Sequence, residues 1–427
     1  MSISTHAYSK ILPLRARAEV RNAWLRQRLE EVVPELMQRT GIDLWIVAAR
    51  EYNEDPVIMT LLPEPAMSAR RRTILVFSRS ADGAVERLTV DRYGHGELYL
   101  VAWNPEEEGQ FDCLARLVRE RDPGIIGLNI SAGSSFADGL THSEYEAIVA
   151  ALGETYAPSV VSAEALALGW LERRIDPELT VYPGIVDLGH ALIAEAFSSR
   201  TIQPGITTTA DLVWWFRQRI LELGLEAWFQ PMVDLQARGE PFTPVGARED
   251  EGRRRVIQPG DLLHCDVGFY YMGLATDQQQ LAYVLRPGEE DAPAGLRAGL
   301  AEANRLQEIL LAAMQPGRTG NEVLHSALDE ARAEGLTPMI YTHPLGTHGH
   351  AAGPTIGLWD HQEGVPGGGD YPLYDHTCYA VELNVQAPVP EWDGQVAMFG
   401  LEEDAVLASG EMRWLAGRQT RLHLIGP

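Results

Sequence analysis

The sequence predicts an α+β chain of two domains, on three observations. Its 427 residues exceed what one hydrophobic core usually supports. The first part alternates short apolar strands with helical stretches, which points to a small α/β domain. The remainder reads as helix pair, strands, helix pair, strands, a coarse duplication of architecture without repeated sequence.

Residues 42–49 (IDLWIVAA) and 73–78 (TILVFS) predict buried strands, whereas 21–38 and 143–152 carry apolar residues at helical spacing. Residues 129–141, rich in Gly and Ser, predict a loop. A helix ending near Arg173-Arg174, followed by Ile175-Asp176-Pro177, marks a boundary that gives domains 1–175 and 176–427. Beyond it, helices are expected over 183–198 and after Thr207-Thr208-Thr209-Ala210-Asp211, which reads as an N-terminal cap. Two more are expected over 292–314 and 320–334, with strand-rich stretches over 229–285 and 377–407. Residues 364–375 (GVPGGGDYPLYD) predict a glycine-rich loop, either a plain connector or a mobile flap.

Composition removes several function classes. A net charge of −25 argues against nucleic acid, whose binding rests on basic side chains that neutralise phosphates. Arg253-Arg254-Arg255, a dense basic run, lies in a charged stretch before a Gln-Pro-Gly turn and reads as a solvated loop. No tract of 18 or more apolar residues suggests a membrane span. Residues 1–14 lack the apolar core and cleavage site of a secretory signal, so a cytoplasmic location is expected. Cys113, Cys265 and Cys378 are far apart and form no CxxC pair, so neither a cysteine-rich zinc site nor a redox pair is expected. Lys10 is the only lysine. It follows no phosphate-binding glycine loop, and it stands in no setting for a Schiff base.

The carboxylates point to chemistry. Residues 261–285 (DLLHCDVGFYYMGLATDQQQLAYVL) place two apolar strands around a turn near Tyr271-Met272-Gly273. In a hairpin centred on Tyr271 and Met272, Asp266 and Asp277 fall opposite each other, with side chains about 5 Å apart. Such a pair among apolar neighbours is relieved by a cation between them, unless one aspartate merely ends its strand. Glu382 lies inside the strand-like run 377–385, and Glu402, Glu403 and Asp404 lie together in 400–408. A carboxylate within a short apolar strand is unusual unless paired. Histidines crowd 343–361 (HPLGTHGHAAGPTIGLWDH), where glycines allow close approach to a site. Carboxylates with one imidazole suit Mn, Zn, Co or Fe, and two ions sharing bridging carboxylates can activate a water.

In order and spacing these residues resemble the pita-bread metallopeptidases: aminopeptidase P, prolidase, methionine aminopeptidase and their metal-free cousin creatinase. The resemblance covers roughly residues 175–415 and rests on four features. These are the eleven-residue step from Asp266 to Asp277, Gly349-His350-Ala351-Ala352-Gly353, Glu382 in Glu382-Leu383-Asn384, and Glu403-Asp404-Ala405-Val406. It implies a pita-bread catalytic domain behind a smaller N-terminal α/β domain, and two divalent ions (Mn, Zn or Co). Asp266 would chelate one ion, Asp277 and Glu403 would bridge both, and His350 and Glu382 would complete the other. His348 is the alternative to His350, or else a substrate contact. His361 matches the family's substrate-contacting histidine, displaced by about four residues; its other reading is a surface histidine. A homodimer is implied by resemblance alone.

The pattern also departs from the family. The usual upstream proton-shuttle histidine is missing, since no histidine lies between His190 and His264. His264 shares the strand face of Asp266, and either sits near the ions or packs in the core. Leu401 stands where an arginine is often found. The resemblance implies an exopeptidase acting on short peptides, Xaa-Pro aminopeptidase- or dipeptidase-like, in which a metal-bridging hydroxide attacks and Glu382 moves a proton. The alternatives are carboxypeptidase polarity, absence of proline specificity, and a non-catalytic peptide-binding protein on the same fold. Arg238 and Arg248 are either anchors for a substrate carboxylate or solvated loop residues.

Overall fold

A computed structural model describes residues 7–240 and 255–426. Arg248, Arg253 and Arg254 lie outside the described residues. The chain divides into two compact units, one of residues 12–175 and one of 176–426 that also takes in 7–11.

In the first unit, β1 (Leu44–Arg50), β2 (Arg72–Arg79), β3 (Val85–Thr89), β4 (Leu100–Val101), β5 (Ile126–Leu128) and β6 (Val160–Ser162) form a mixed sheet. Its order is β4-β3-β2-β1-β5-β6. Helices α1 (Leu14–Thr40), α2 (Ile58–Leu61), α3 (Gln110–Arg121), α4 (His142–Tyr156) and α5 (Glu164–Glu172) connect and flank it. The central strand β1 is buried along all but its last residue, so it reads as a continuous apolar run rather than an alternation. Helix α1 extends seven residues upstream of the expected 21–38 and stops at Gly41, whose φ of 70° is a conformation glycine adopts without strain.

The second unit begins with α6 (Asp176–Ala196) and α7 (Thr209–Glu222). Helix α6 starts earlier than the 183–198 predicted from apolar spacing. Asp176-Pro177 supplies its start, because a proline in the first turn forfeits only an amide that has no helical partner. Pro183 is then carried inside the helix. Helix α7 begins where its cap motif predicts: Thr208 accepts from the Asp211 amide, and Asp211 returns a bond to the Thr208 amide. Strands β7 (Glu226–Ala227), β8 (Met232–Gln236), β9 (Leu262–Val267), β10 (Phe269–Tyr271), β11 (Leu274–Ala275) and β12 (Gln278–Val284) follow. Helices α8 (Ala294–Ala313) and α9 (Gly320–Ala333) come next. Last come β13 (Pro338–Ile340), β14 (His343–Leu345), β15 (Thr377–Val389), β16 (Gln395–Ala408), β17 (Glu411–Trp414) and β18 (His423–Ile425).

A nine-stranded sheet runs β13-β15-β16-β12-β9-β8, with β14, β17 and β18 adding to β15, β16 and β12. Two long strands, β15 and β16, pair over thirteen positions and form its spine. Alternate residues of the spine (Val381, Leu383, Val385, Phe399, Leu401, Ala405) join Leu296, Leu300 and Ala303 of α8 in one core. Glycine at 299 lets the Phe399 ring lie against the α8 backbone, where a side chain would collide with it. The intervening residues (Glu382, Asn384, Gly400, Glu402, Asp404) therefore occupy the other face of the sheet. That face is where the polar groups gather. The glycine-rich stretch 364–375 is tied down as a connector: Asn321 of α9 accepts from the Val365 amide and donates to Asp370.

Candidate metal centre

The hairpin carrying the two aspartates differs from its expected register. Met272 and Gly273 both have positive φ (57° and 78°), so they form the turn, and Tyr271 faces Leu274. The register that follows puts Asp266 opposite Gln279 rather than Asp277. Asp277 lies two residues earlier in the chain than Asp266's partner, and both aspartates remain on the face that Glu382 and Glu402 share. The link is Gln279, which pairs with Glu402, which in turn pairs with Glu382. Strand β14 pairs with β15 so that His343 sits beside Ala380, two residues from Glu382 on the same face.

Two overlapping groups result. Ligand atoms of Asp277, His343 and Glu402 lie within 4.8 Å of one another, as do those of Asp266, Glu382 and Glu402. Glu402 belongs to both. Asp266, Asp277 and Glu402 are buried, and Glu382 is the one carboxylate of the four with appreciable solvent access. Among the described residues, Asp277, Glu382 and Glu402 pair with no lysine or arginine; His343 lies beside them, with Nε2 3.5 Å from Asp277 and 3.4 Å from Glu402.

Crowding shows in the acid strengths. Burial, reinforced by Asp277, pushes the Glu382 carboxyl up to about 8, against the relief given by His343. Burial together with Asp277, Glu382, Asp266 and Asp404 carries Glu402 well above the carboxylate range. Burial also lifts Asp404, which accepts from the Asp277 amide at 3.3 Å. Burial alone would lower His343, but the Asp277 carboxylate beside it raises it overall. At 4 Å and an effective dielectric constant near 20, each like-charge pair costs about 4 kcal/mol. Among the described residues, Asp277 Oδ1, His343 Nε2 and Glu402 Oε1 are buried without a hydrogen-bond partner. Anionic donors that lack proton donors fit a divalent cation, and four carboxylates with one imidazole fit an ion of the Mn, Co or Zn type.

The structure distributes the sequence-predicted residues unevenly. It brings Asp266, Asp277 and Glu382 together. Glu403 it sends to the opposite face, where three donors already satisfy it: Gln280 Nε2 at 2.8 Å, the Gln419 amide at 2.9 Å and His190 Nε2 at 2.6 Å. The inward glutamate is Glu402. His350 stacks edge-on against His343 (centroids 4.6 Å) and Trp228 (5.1 Å) and is open to solvent, while the imidazole among the carboxylates is His343. His348 is half-buried in the loop after β14, its carbonyl accepting from the Gly346 amide. His361 is exposed and bonded to its neighbour Asp360, apart from both groups. His264 is buried, with Nε2 2.9 Å from Gln279 Oε1 and Nδ1 3.3 Å from Asp234 Oδ2. Arg238 is held on the surface by Asp393.

His343, Glu402 and Gln279, which the sequence does not single out, lie among these carboxylates. The first two were in view among neighbours of the same type. Gln279 carried one signal, a run of three glutamines inside an apolar strand, since buried amides need partners.

The sequence profile of metallopeptidase family M24 matches residues 186–409, more than half of the chain. The chain belongs to this family. It is accordingly a metal-dependent peptidase, and the profile spans every residue of the two groups. Among solved structures it is similar to an X-Pro aminopeptidase from Thermotoga maritima (TM-score 0.65, 16% identity, 91% of this chain and 99% of that one). A dipeptidase from Mycobacterium ulcerans (0.62, 16%, 95% and 99%) and an Xaa-Pro dipeptidase from Bacillus anthracis (0.58, 17%, 95% and 99%) are similar in the same way. At these identities the likeness establishes the shared pita-bread fold. No curated protein sequence matches. Among the described residues no helix of this M24 peptidase is long and apolar enough to cross a membrane.

Proposed function

We propose that this M24 peptidase is a two-metal exopeptidase of short peptides, with Asp266, Asp277, His343, Glu382 and Glu402 as the ligands. The observation that carries the reading is Glu402, which is shared between two groups of donor atoms and has a buried oxygen without a proton donor. Two divalent ions held there would lower the pKa of a shared water, supply the hydroxide that attacks the scissile carbonyl, and polarise that carbonyl. The remaining work falls to the protein. Glu382, the least buried of the four carboxylates, moves the proton between water and the leaving amine. His350, beside His343 and against Trp228, forms a wall that contacts the substrate. The likeness to enzymes described as X-Pro aminopeptidases and dipeptidases supports short peptides as substrates. A homodimer is proposed on family resemblance alone.

The test is a panel of di- and tripeptides, with and without proline and blocked at either end, given to metal-free protein with Mn, Co or Zn. Cleavage is expected only with added ion, and only where one terminus is free; which terminus decides the polarity. His343→Ala is expected to weaken ion affinity by about 100-fold or more, because it removes a ligand rather than a supporting group. His350→Ala is expected to keep the ion stoichiometry and lose turnover or raise KM. The converse pattern in equilibrium dialysis would return the ligand role to His350.

A further inference from the structure

One amide spans both glutamates of the site. Gln279 Nε2 donates to Glu382 Oε1 and, at 3.0 Å, to Glu402 Oε2. The two hydrogens of a single NH₂ group are thereby used on two carboxylates. With both glutamates ionised around bound ions, the reverse orientation would set the amide's carbonyl oxygen against two carboxylates. Gln279 Oε1 then faces His264 Nε2 at 2.9 Å, and His264 Nδ1 faces Asp234 Oδ2 at 3.3 Å. Glycine at 400 makes room for this line of groups: a Cβ there would stand 3.2 Å from His264 Nε2 and 3.6 Å from Gln279 Oε1. All three polar side chains come from one sheet, Asp234 from β8, His264 from β9 and Gln279 from β12, so the alignment is set by strand register.

We infer that Gln279 is a positioning residue for the metal centre, held by His264 and Asp234, which fixes one oxygen of each glutamate. The other oxygen of Glu402 is thereby turned toward Asp277 and His343. The inference rests on the two-metal reading. It assigns to His264 a supporting role through Gln279, in place of contact with substrate. Groups that orient ligands in this way typically change metal affinity by about 10–100-fold when removed.

The experiment titrates Co(II) into metal-free protein, reading affinity by chelator competition and ligand geometry by the visible d–d absorption. Gln279→Leu is expected to weaken affinity by about 10–100-fold and to shift the absorption. His264→Leu is expected to do the same, and the double variant to lose no more than the worse single one, because the two act as one unit. Melting of each metal-free variant separates these effects from a damaged fold, and His264→Leu carries the test if Gln279→Leu does not fold. Unchanged affinity and spectrum in both single variants would overturn the inference while leaving the metal centre intact. Wild-type protein that binds no Co(II), or binding that survives Glu402→Gln undiminished, would instead overturn the metal reading itself.

Discussion

Glu402→Gln is expected to lower kcat/KM for metal-dependent peptide cleavage by about 1,000-fold or more, whereas Glu403→Gln is expected to retain activity within about tenfold. Losing a shared ligand removes several kcal/mol of transition-state stabilisation, and about 4 kcal/mol corresponds to three decades in rate. The neighbours differ because adjacent strand residues face opposite ways. Glu402 looks toward Asp266, Asp277, Glu382 and His343, and has a buried oxygen with no donor. Glu403 looks toward α6 and is already bonded by Gln280, Gln419 and His190. Its neutral analogue forfeits the ion pair with His190, so the loss there is in stability, about 1.5–3 kcal/mol for a hydrogen bond to a charged group. Steady-state kinetics at saturating Mn, with a thermal melt of each variant, separates the two. Equal activity losses in both variants would contradict the assignment.

Removing the ions is expected to produce a protein whose stability falls as pH rises, the reverse of ordinary acid denaturation. In the metal-free fold the Glu382 carboxyl is pushed up to about 8, with Glu402 well above its usual range, through burial and mutual repulsion. An unfolded glutamate titrates near 4.5. Between these values the folded chain keeps a proton that the unfolded chain has released. The unfolded state therefore binds fewer protons, and ΔG of unfolding decreases with pH across that window. For Glu382 the penalty is absent below about pH 4.5 and levels off above about pH 8, at a few kcal/mol, and Glu402 adds to it in the same direction. A divalent ion replaces those protons and cancels the repulsion. At 100 times its Kd an ion adds about 2.7 kcal/mol, roughly 5–10 °C in melting temperature for a unit of this size. Melting at pH 6 and pH 8.5, with chelator and with Mn, should show the metal-free protein lower at pH 8.5 and the gain from Mn larger there. Metal-free protein that gains stability between the two pH values would contradict the site.

What could be read from the sequence follows physical lines. Helix and strand periodicity, the Thr208 cap and the helix-pair, strand-run alternation are local properties, and they outline the second unit before any coordinates. The eleven-residue step between Asp266 and Asp277 is likewise local, being spanned by one hairpin. The details that differ between sequence and structure depend on register. A turn at Met272-Gly273 instead of Tyr271-Met272 moved Asp266 opposite Gln279. In Glu402-Glu403-Asp404 a one-residue slip exchanges the two faces of the strand, and the register is set by pairing with β15, far away in sequence. The sequence weighs only His350 and His348 as the ligand, whereas the imidazole among the carboxylates, His343, lies on β14, just before the glycine-rich loop. The motif Gly349 to Gly353 lies within that loop, after the strand that positions His343. Gln279 belongs to no metal-ligand pattern, and its role appears only when three strands are side by side.

A crystal of this protein grown with Mn(II), measured on both sides of the manganese absorption edge, tests the two-metal centre directly. Two anomalous difference peaks are expected on the face of the sheet that carries Glu382 and Glu402, one against Asp277, His343 and Glu402 and one against Asp266, Glu382 and Glu402. A peak beside Glu403 and His190, or none among the five named ligands, would contradict it.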